Sequence, residues 1–180
     1  MPNYYLLWAS GEDRPGIVAM VTEILFKNKC NLEDSSMMRL GSEFGILLIF
    51  TSRGEPNKKY FETMIKRVSN YGLNVGLKKI SKKQAQFKPI KYFPFIITIH
   101  GFDQPGLVYK ISSILAQSHF NITDLTTHRT TQGSRVGYII FIEGELSGKS
   151  TFLKLKKNLK ALEKKLKIKA TVQSLISDAL

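Results

Sequence analysis

GEDRPGIVAMVTEILFKNKCNLED, residues 11–34, recurs without a gap as GFDQPGLVYKISSILAQSHFNITD, residues 101–124. Asp13, Pro15, Gly16 and Asn31 correspond to Asp103, Pro105, Gly106 and Asn121. Between them Ile17, Val18, Val21, Ile24 and Leu25 fall on one helical stripe, and Leu107, Val108, Ile111, Ile114 and Leu115 repeat it position for position. A repeat of this length predicts two copies of one domain, over residues 1–81 and 93–180. Residues 82–92, rich in Lys and Gln, read as a basic linker.

Outward from the repeat, each copy shows the same order of patterns. An unbroken apolar run ahead of Gly11 reads as a buried strand, and Pro15 fits the first helical turn, where its missing N–H is no loss. After Asn31 a strand to about Leu40, a turn at Gly41-Ser42 and a strand from Phe44 to Ser52 form a hairpin. The second hairpin runs from Ile122 to Glu143, turns around Gln132-Gly133-Ser134, and is expected to be two residues longer, Gly137 matching Gly45. A second helix (Phe61, Met64, Ile65, Val68; then Phe152, Leu155, Leu159, Leu162, Leu166) and a last strand (Leu73, Val75, Leu77; then Ile168, Ala170, Val172) close each copy. Strand, helix, strand, strand, helix, strand gives an α+β fold: two ferredoxin-like domains in tandem, each a four-stranded antiparallel sheet with two helices on one face. The third strands, from Gly45 and from Gly137, are apolar on both faces, which predicts that sheets pack between copies or between chains into an oligomer.

Composition narrows the function. The 180 residues are 43% hydrophobic and carry one cysteine, Cys30, so an intramolecular disulfide is excluded and no cysteine cluster can hold a metal. His100, His119 and His128 lack metal-ligand spacing, and no nucleophile has a base at a recognisable distance. No cofactor, metal or catalytic residue is expected, and the chain does not read as an enzyme. His100, at a strand end beside the second loop, is a weaker candidate ligand contact. The apolar run near the N-terminus is too short for a signal peptide, and none reaches membrane-spanning length, so the expectation is a soluble cytoplasmic protein. The net charge of +13 favours polyanions, but its lysines crowd residues 78–91 and 149–169 rather than the repeated loops.

The loops suit a zwitterion. Backbone N–H groups at Gly16 and Ile17, and at Gly106 and Leu107, open a helix whose dipole favours a carboxylate, while Asp13 and Asp103 offer a carboxylate to an ammonium. Asn31 and Asn121, at the far helix end, would reach such a ligand through a neighbouring copy or chain. The bland alternative is that Asp caps the helix and Pro-Gly merely marks a turn.

Asp-x-Pro-Gly opening a helix, Asn fifteen residues after the Gly, and this element order resemble the ACT domain. The resemblance implies a regulatory module that binds amino acids, with ligand contacts at Asp13, Pro15, Gly16, Ile17 and Asn31 and at Asp103, Pro105, Gly106, Leu107 and Asn121. In some ACT domains the position of Gly11 and Gly101 carries a ligand-touching side chain. A tandem pair without a catalytic domain further implies a glycine-responsive transcriptional repressor acting through contact with a DNA-binding activator. The alternative is a nucleic-acid-binding protein using the repeats as scaffold, through the lysine-rich helix over residues 150–167.

Overall fold

The computed structural model describes residues 2–54, 58–86, 92–132 and 135–175. It divides into two compact units, Met1–Lys88 and Pro89–Leu180. The first contains β1 (Pro2–Glu12), α1 (Ile17–Lys27), β2 (Asn31–Leu40), β3 (Glu43–Arg53), α2 (Lys58–Asn70), β4 (Asn74–Ile80) and a single-turn helix α3 (Lys82–Ala85). The second contains β5 (Phe93–Phe102), α4 (Leu107–Gln117), β6 (Asn121–Gln132), β7 (Arg135–Leu146), α5 (Lys149–Leu166) and β8 (Lys169–Ser174). The sheets have the orders β2-β3-β1-β4 and β6-β7-β5-β8, antiparallel throughout. This is the ferredoxin-like βαββαβ arrangement twice.

Strand alternation sends one set of side chains to the helices. In the first unit Tyr5, Leu7 and Ala9 of β1 and Phe44, Ile46, Leu48 and Phe50 of β3 pack with Ile17, Val21, Ile24 and Leu25 of α1 and with Met64 and Val68 of α2. The second core is built likewise from Phe95, Ile97, Ile99, Ile140 and Ile142 against Leu107, Ile111, Leu115, Phe152, Leu155, Leu159 and Leu162. The first helices end alike: Cys30 N–H donates to the Leu25 carbonyl and Phe120 N–H to that of Leu115, after Lys29 and His119 at φ 55. Such left-handed closure satisfies the last carbonyls and explains the turn into the next strand. It also gives His119 a backbone role.

Helices cover the middle of each sheet and leave β2 bare. Every residue of β2 is exposed, including Met37 and Arg39, whose register opposite Ile46 and Phe44 puts them on the helix side. On the other face Trp8 stands between Leu47 and Gly76 in register, 43% exposed, and a side chain at 76 would enter its indole ring.

Two expectations change. Pro15 and Pro105 lie in the turn before the helices, because the caps are Gly16 and Gly106 and the first helical residues are Ile17 and Leu107. Ser81 caps α3 through its hydroxyl and Gln84. The second hairpin is longer by four residues rather than two: Ser10 pairs with Gly45 but its counterpart His100 pairs with Ile139, so Ile139, not Gly137, matches Gly45. The added rungs are Thr131 with Val136 and Gln132 with Arg135. Sequence similarity aligned two glycines, whereas hydrogen-bond register aligns buried positions. The turn at Gly133-Ser134, the Phe61 side chain and linker residues 87–91 lie outside the described residues.

Candidate ligand site at the strand-to-helix loops

The loop after β1 is held before any ligand is considered. Asp13 N–H donates to the Ser42 carbonyl at 2.8 Å, and Asp103 N–H to that of Val136 at 3.1 Å, so each loop is tied to the tip of the neighbouring hairpin. Gly16 and Gly106 cap the helices with φ of 95 and 75, a left-handed conformation that any other residue reaches only with strain. A methyl group on Gly16 would meet only the Tyr71 hydroxyl, at 3.6 Å, so backbone conformation rather than space requires glycine here.

Gly11 and Gly101 are explained differently. A Cβ on Gly11 would lie 2.8 Å from the Gly72 carbonyl oxygen, and one on Gly101 2.6 Å from Ile168 Cγ2. The loop leading into the last strand occupies the place of a side chain.

Neither Asp caps its helix: the N-caps are Gly16 and Gly106, and no side-chain hydrogen bond from Asp13 or Asp103 to the first turn of α1 or α4 is found among the described residues. Each reaches instead to an arginine of the edge strand. Arg39 Nη1 stands 3.8 Å from Asp13 Oδ2. Arg129 donates to Asp103 Oδ2 from Nε at 3.1 Å and from Nη2 at 2.5 Å. Arg39 and Arg129 are as far beyond Asn31 and Asn121 as each other, so the identity at equal spacing was present in the sequence. Its place in an edge strand, away from the Asp-Pro-Gly loop, concealed the link.

Asp13, Arg14, Gly16, Ile17, Val18, Met37, Arg39 and Phe44 line a cavity of about 340 Å³ between the start of α1 and the bare helix side of β2. Its floor is apolar and its rim carries both charges. Arg14 bonds Glu12 at 2.5 Å, which holds the Glu12 carboxyl below the usual carboxylate range, through the hydrogen bond first and charge attraction second. Gln104, in the place of Arg14, bonds the Leu166 carbonyl at 3.2 Å.

The first-turn donors also differ. Leu107 N–H donates to the Gln104 carbonyl at 3.3 Å, while Ile17 N–H has no acceptor among the described residues. Pro15 and Pro105 shape the turns and supply no donor.

Asn31 and Asn121 stand elsewhere. Each begins its strand, with Asn31 bonded to Glu33 at 3.0 Å and Asn121 to Glu145 at 2.9 Å. Eight residues of extended chain separate Asn31 from Arg39, about 26 Å at 3.3 Å per residue. Within one unit the structure therefore does not bring the Asn and the Asp together. His100 lies on the open sheet face opposite Ile139, on the side away from the helices. Among the described residues no group of three or more His, Cys, Asp or Glu could hold a metal ion, and no helix is long and apolar enough to cross a membrane.

Comparison with known proteins places this geometry in a family. ACT-domain models match residues 3–75 and 95–164. The chain is similar to the glycine cleavage system transcriptional repressors of Escherichia coli (strain K12) and Shigella flexneri, each 24% identical over 125 residues. That alignment takes in 69% of this chain and 64% of each relative's length. Among solved structures, an unknown protein from Galdieria sulphuraria superposes with a TM-score of 0.83 at 16% identity, over 98% of this chain and 100% of that one. A provisionally named glycine cleavage system transcriptional repressor superposes with 0.69 at 21%, over 97% and 98%. Those two likenesses are of fold. With both halves matched by models of the same domain, the chain belongs to the ACT-domain family, as two ACT domains in tandem.

Proposed function

We propose that this protein is a non-enzymatic, cytoplasmic regulator that binds a small α-amino acid at the strand-to-helix loops and represses transcription through contact with a DNA-binding activator. The observation that carries the reading is the cavity at the start of α1. Ile17, whose N–H is unused, Arg39 and Asp13 all line it together with the apolar Val18, Met37 and Phe44. Donors for a carboxylate and an acceptor for an ammonium within one small cavity match the α-amino acid headgroup. Ligand contacts are assigned to Asp13, Pro15, Gly16, Ile17 and Asn31, with Asp103, Pro105, Gly106, Leu107 and Asn121 as the corresponding set of the second unit and each Asn supplied by a neighbouring copy or chain.

Glycine is the proposed effector, in keeping with the name of the similar repressors. Its five heavy atoms permit a best case of about 7 to 8 kcal/mol at roughly 1.5 kcal/mol per atom, near micromolar affinity. The apolar open face around Trp8 and Leu47 is assigned to packing against a second copy.

Calorimetry of the full chain with a panel of amino acids tests the reading. Heat from glycine or another small amino acid, lost in Asp13→Asn, is expected; silence across the panel overturns it. A second reading has its own support, because Lys154, Lys157, Lys160, Lys164 and Lys165 on α5 are exposed and have no acidic partner among the described residues. Nucleic-acid binding through that face predicts an affinity for duplex DNA that falls steeply with salt.

A further inference from the structure

We infer that the two loop sites are unequal: Arg39 is the carboxylate anchor of a working site in the first unit, and the Asp103–Arg129 pair locks the second site shut. This rests on the amino-acid-binding reading and specifies which site binds and through which residue.

Three observations point the same way. The Asp13–Arg39 contact is long, 3.8 Å, whereas Asp103 and Arg129 share two hydrogen bonds at 3.1 and 2.5 Å. Ile17 N–H is unused, whereas Leu107 N–H is taken by the Gln104 carbonyl. Gln104 is itself fastened to the Leu166 carbonyl, while Arg14, in its place, lines the cavity of the first loop. In the second unit the groups that a ligand would use already satisfy one another.

The chemistry of opening follows. An exposed ion pair is worth about 0 to 1 kcal/mol, so separating Asp13 from Arg39 costs little. A zwitterion entering between them replaces one loose pair by two, carboxylate on Arg39 and ammonium on Asp13. A guanidinium suits this role because it grips both oxygens of a carboxylate. The Asp103–Arg129 pair is exposed to a similar degree, so what sets it apart is its two hydrogen bonds, both of which have to be broken before any ligand gains a partner.

The test is calorimetry on the full chain and on Arg39→Gln and Arg129→Gln, with folding checked by circular dichroism. Glycine and alanine are compared with methylamine and ethylamine, which lack the carboxylate. The unaltered chain is expected to bind one amino acid per chain and to reject the amines. In Arg39→Gln, affinity falls about tenfold or more and the preference over the amines collapses, a change that a purely structural arginine would not cause. In Arg129→Gln, affinity and a stoichiometry of one are both retained, because the second loop takes no part in binding. Unchanged affinity in Arg39→Gln, two equivalent sites in the unaltered chain, or loss of binding in Arg129→Gln overturns the inference while leaving the amino-acid reading intact. No binding of any amino acid by the unaltered chain overturns both.

Discussion

The two units solve one packing problem with different residues. By strand register Phe50 of β3 matches Gly144 of β7, and Cys30 matches Phe120 at the end of the first helix. In the first unit the ring comes from the sheet: Phe50, fully buried, stacks on Tyr5 with centroids 5.4 Å apart, and a small cysteine stands at 30. In the second it comes from the loop: a side chain on Gly144 would enter the Phe120 ring, and Phe95 stacks instead on Phe152 of α5 at 5.1 Å. Large-with-small became small-with-large. What the fold requires at this layer is a filled volume, and either neighbour can fill it.

The largest expected effect breaks that exchange. Phe50→Ala removes a ring whose place nothing else fills and should cost about 3 to 5 kcal/mol, read by chemical denaturation through the single tryptophan, Trp8, in the same sheet. Adding Cys30→Phe should recover part of the loss by copying the second unit's solution. No recovery would mean that the two layers are not equivalent. Gly144→Ala should cost about 1 to 3 kcal/mol by overpacking, and Phe120→Ala beside it should show strong non-additivity.

A smaller effect separates conformation from space at the loops. Gly16→Ala and Gly106→Ala each force a left-handed residue and should destabilise by about 1 to 2 kcal/mol, equally in both units, because neither meets a close neighbour. A markedly unequal pair of unfolding free energies would show that contacts rather than φ fix these glycines.

The smallest effect is electrostatic. Glu12, Glu23 and Glu33, all in the first unit, are held below the usual carboxylate range: Glu12 by its hydrogen bond to Arg14, Glu23 by hydrogen bonds from Lys27 and Arg67, and Glu33 by those from Asn31 and Thr51. A lowered folded pKa contributes stability that is present above the ordinary value of 4.5 and lost as pH falls through the folded values. The Trp8-reported midpoint should therefore decline on acidification below about pH 4.5, modestly because these groups are exposed. High salt should mute the Glu12 and Glu23 part and leave the hydrogen-bonded Glu33 part. A midpoint that rises on acidification would contradict this assignment.

The fold was legible because its signals are local. The stripe of Ile17, Val21, Ile24 and Leu25, its copy ninety residues on, and the turn at Gly41-Ser42 each follow from helix or hairpin geometry within a few residues. The site was legible only in part. Asp13 and Gly16 announced themselves beside a helix start, but capping and ligand binding use the same residue types. Arg39 and Arg129 sit in edge strands whose nearness to the loop depends on strand pairing. Hairpin length depends on pairing in the same way, since Gly45 and Gly137 are alike in sequence and differ in register.

Sequence by itself determined the duplication, the order of elements and the glycine-dependent loops, because periodicity, helix-start chemistry and repeat spacing are properties of the chain. Tertiary structure alone decided that Asp13 and Asp103 face arginines instead of capping helices. It also put Asn31 at the other end of its strand and made Cys30 and Phe120 answer to Phe50 and Gly144. Those relations arise when strands distant in the chain take a common register and a core fills to constant density, and neither condition can be read from neighbours in sequence.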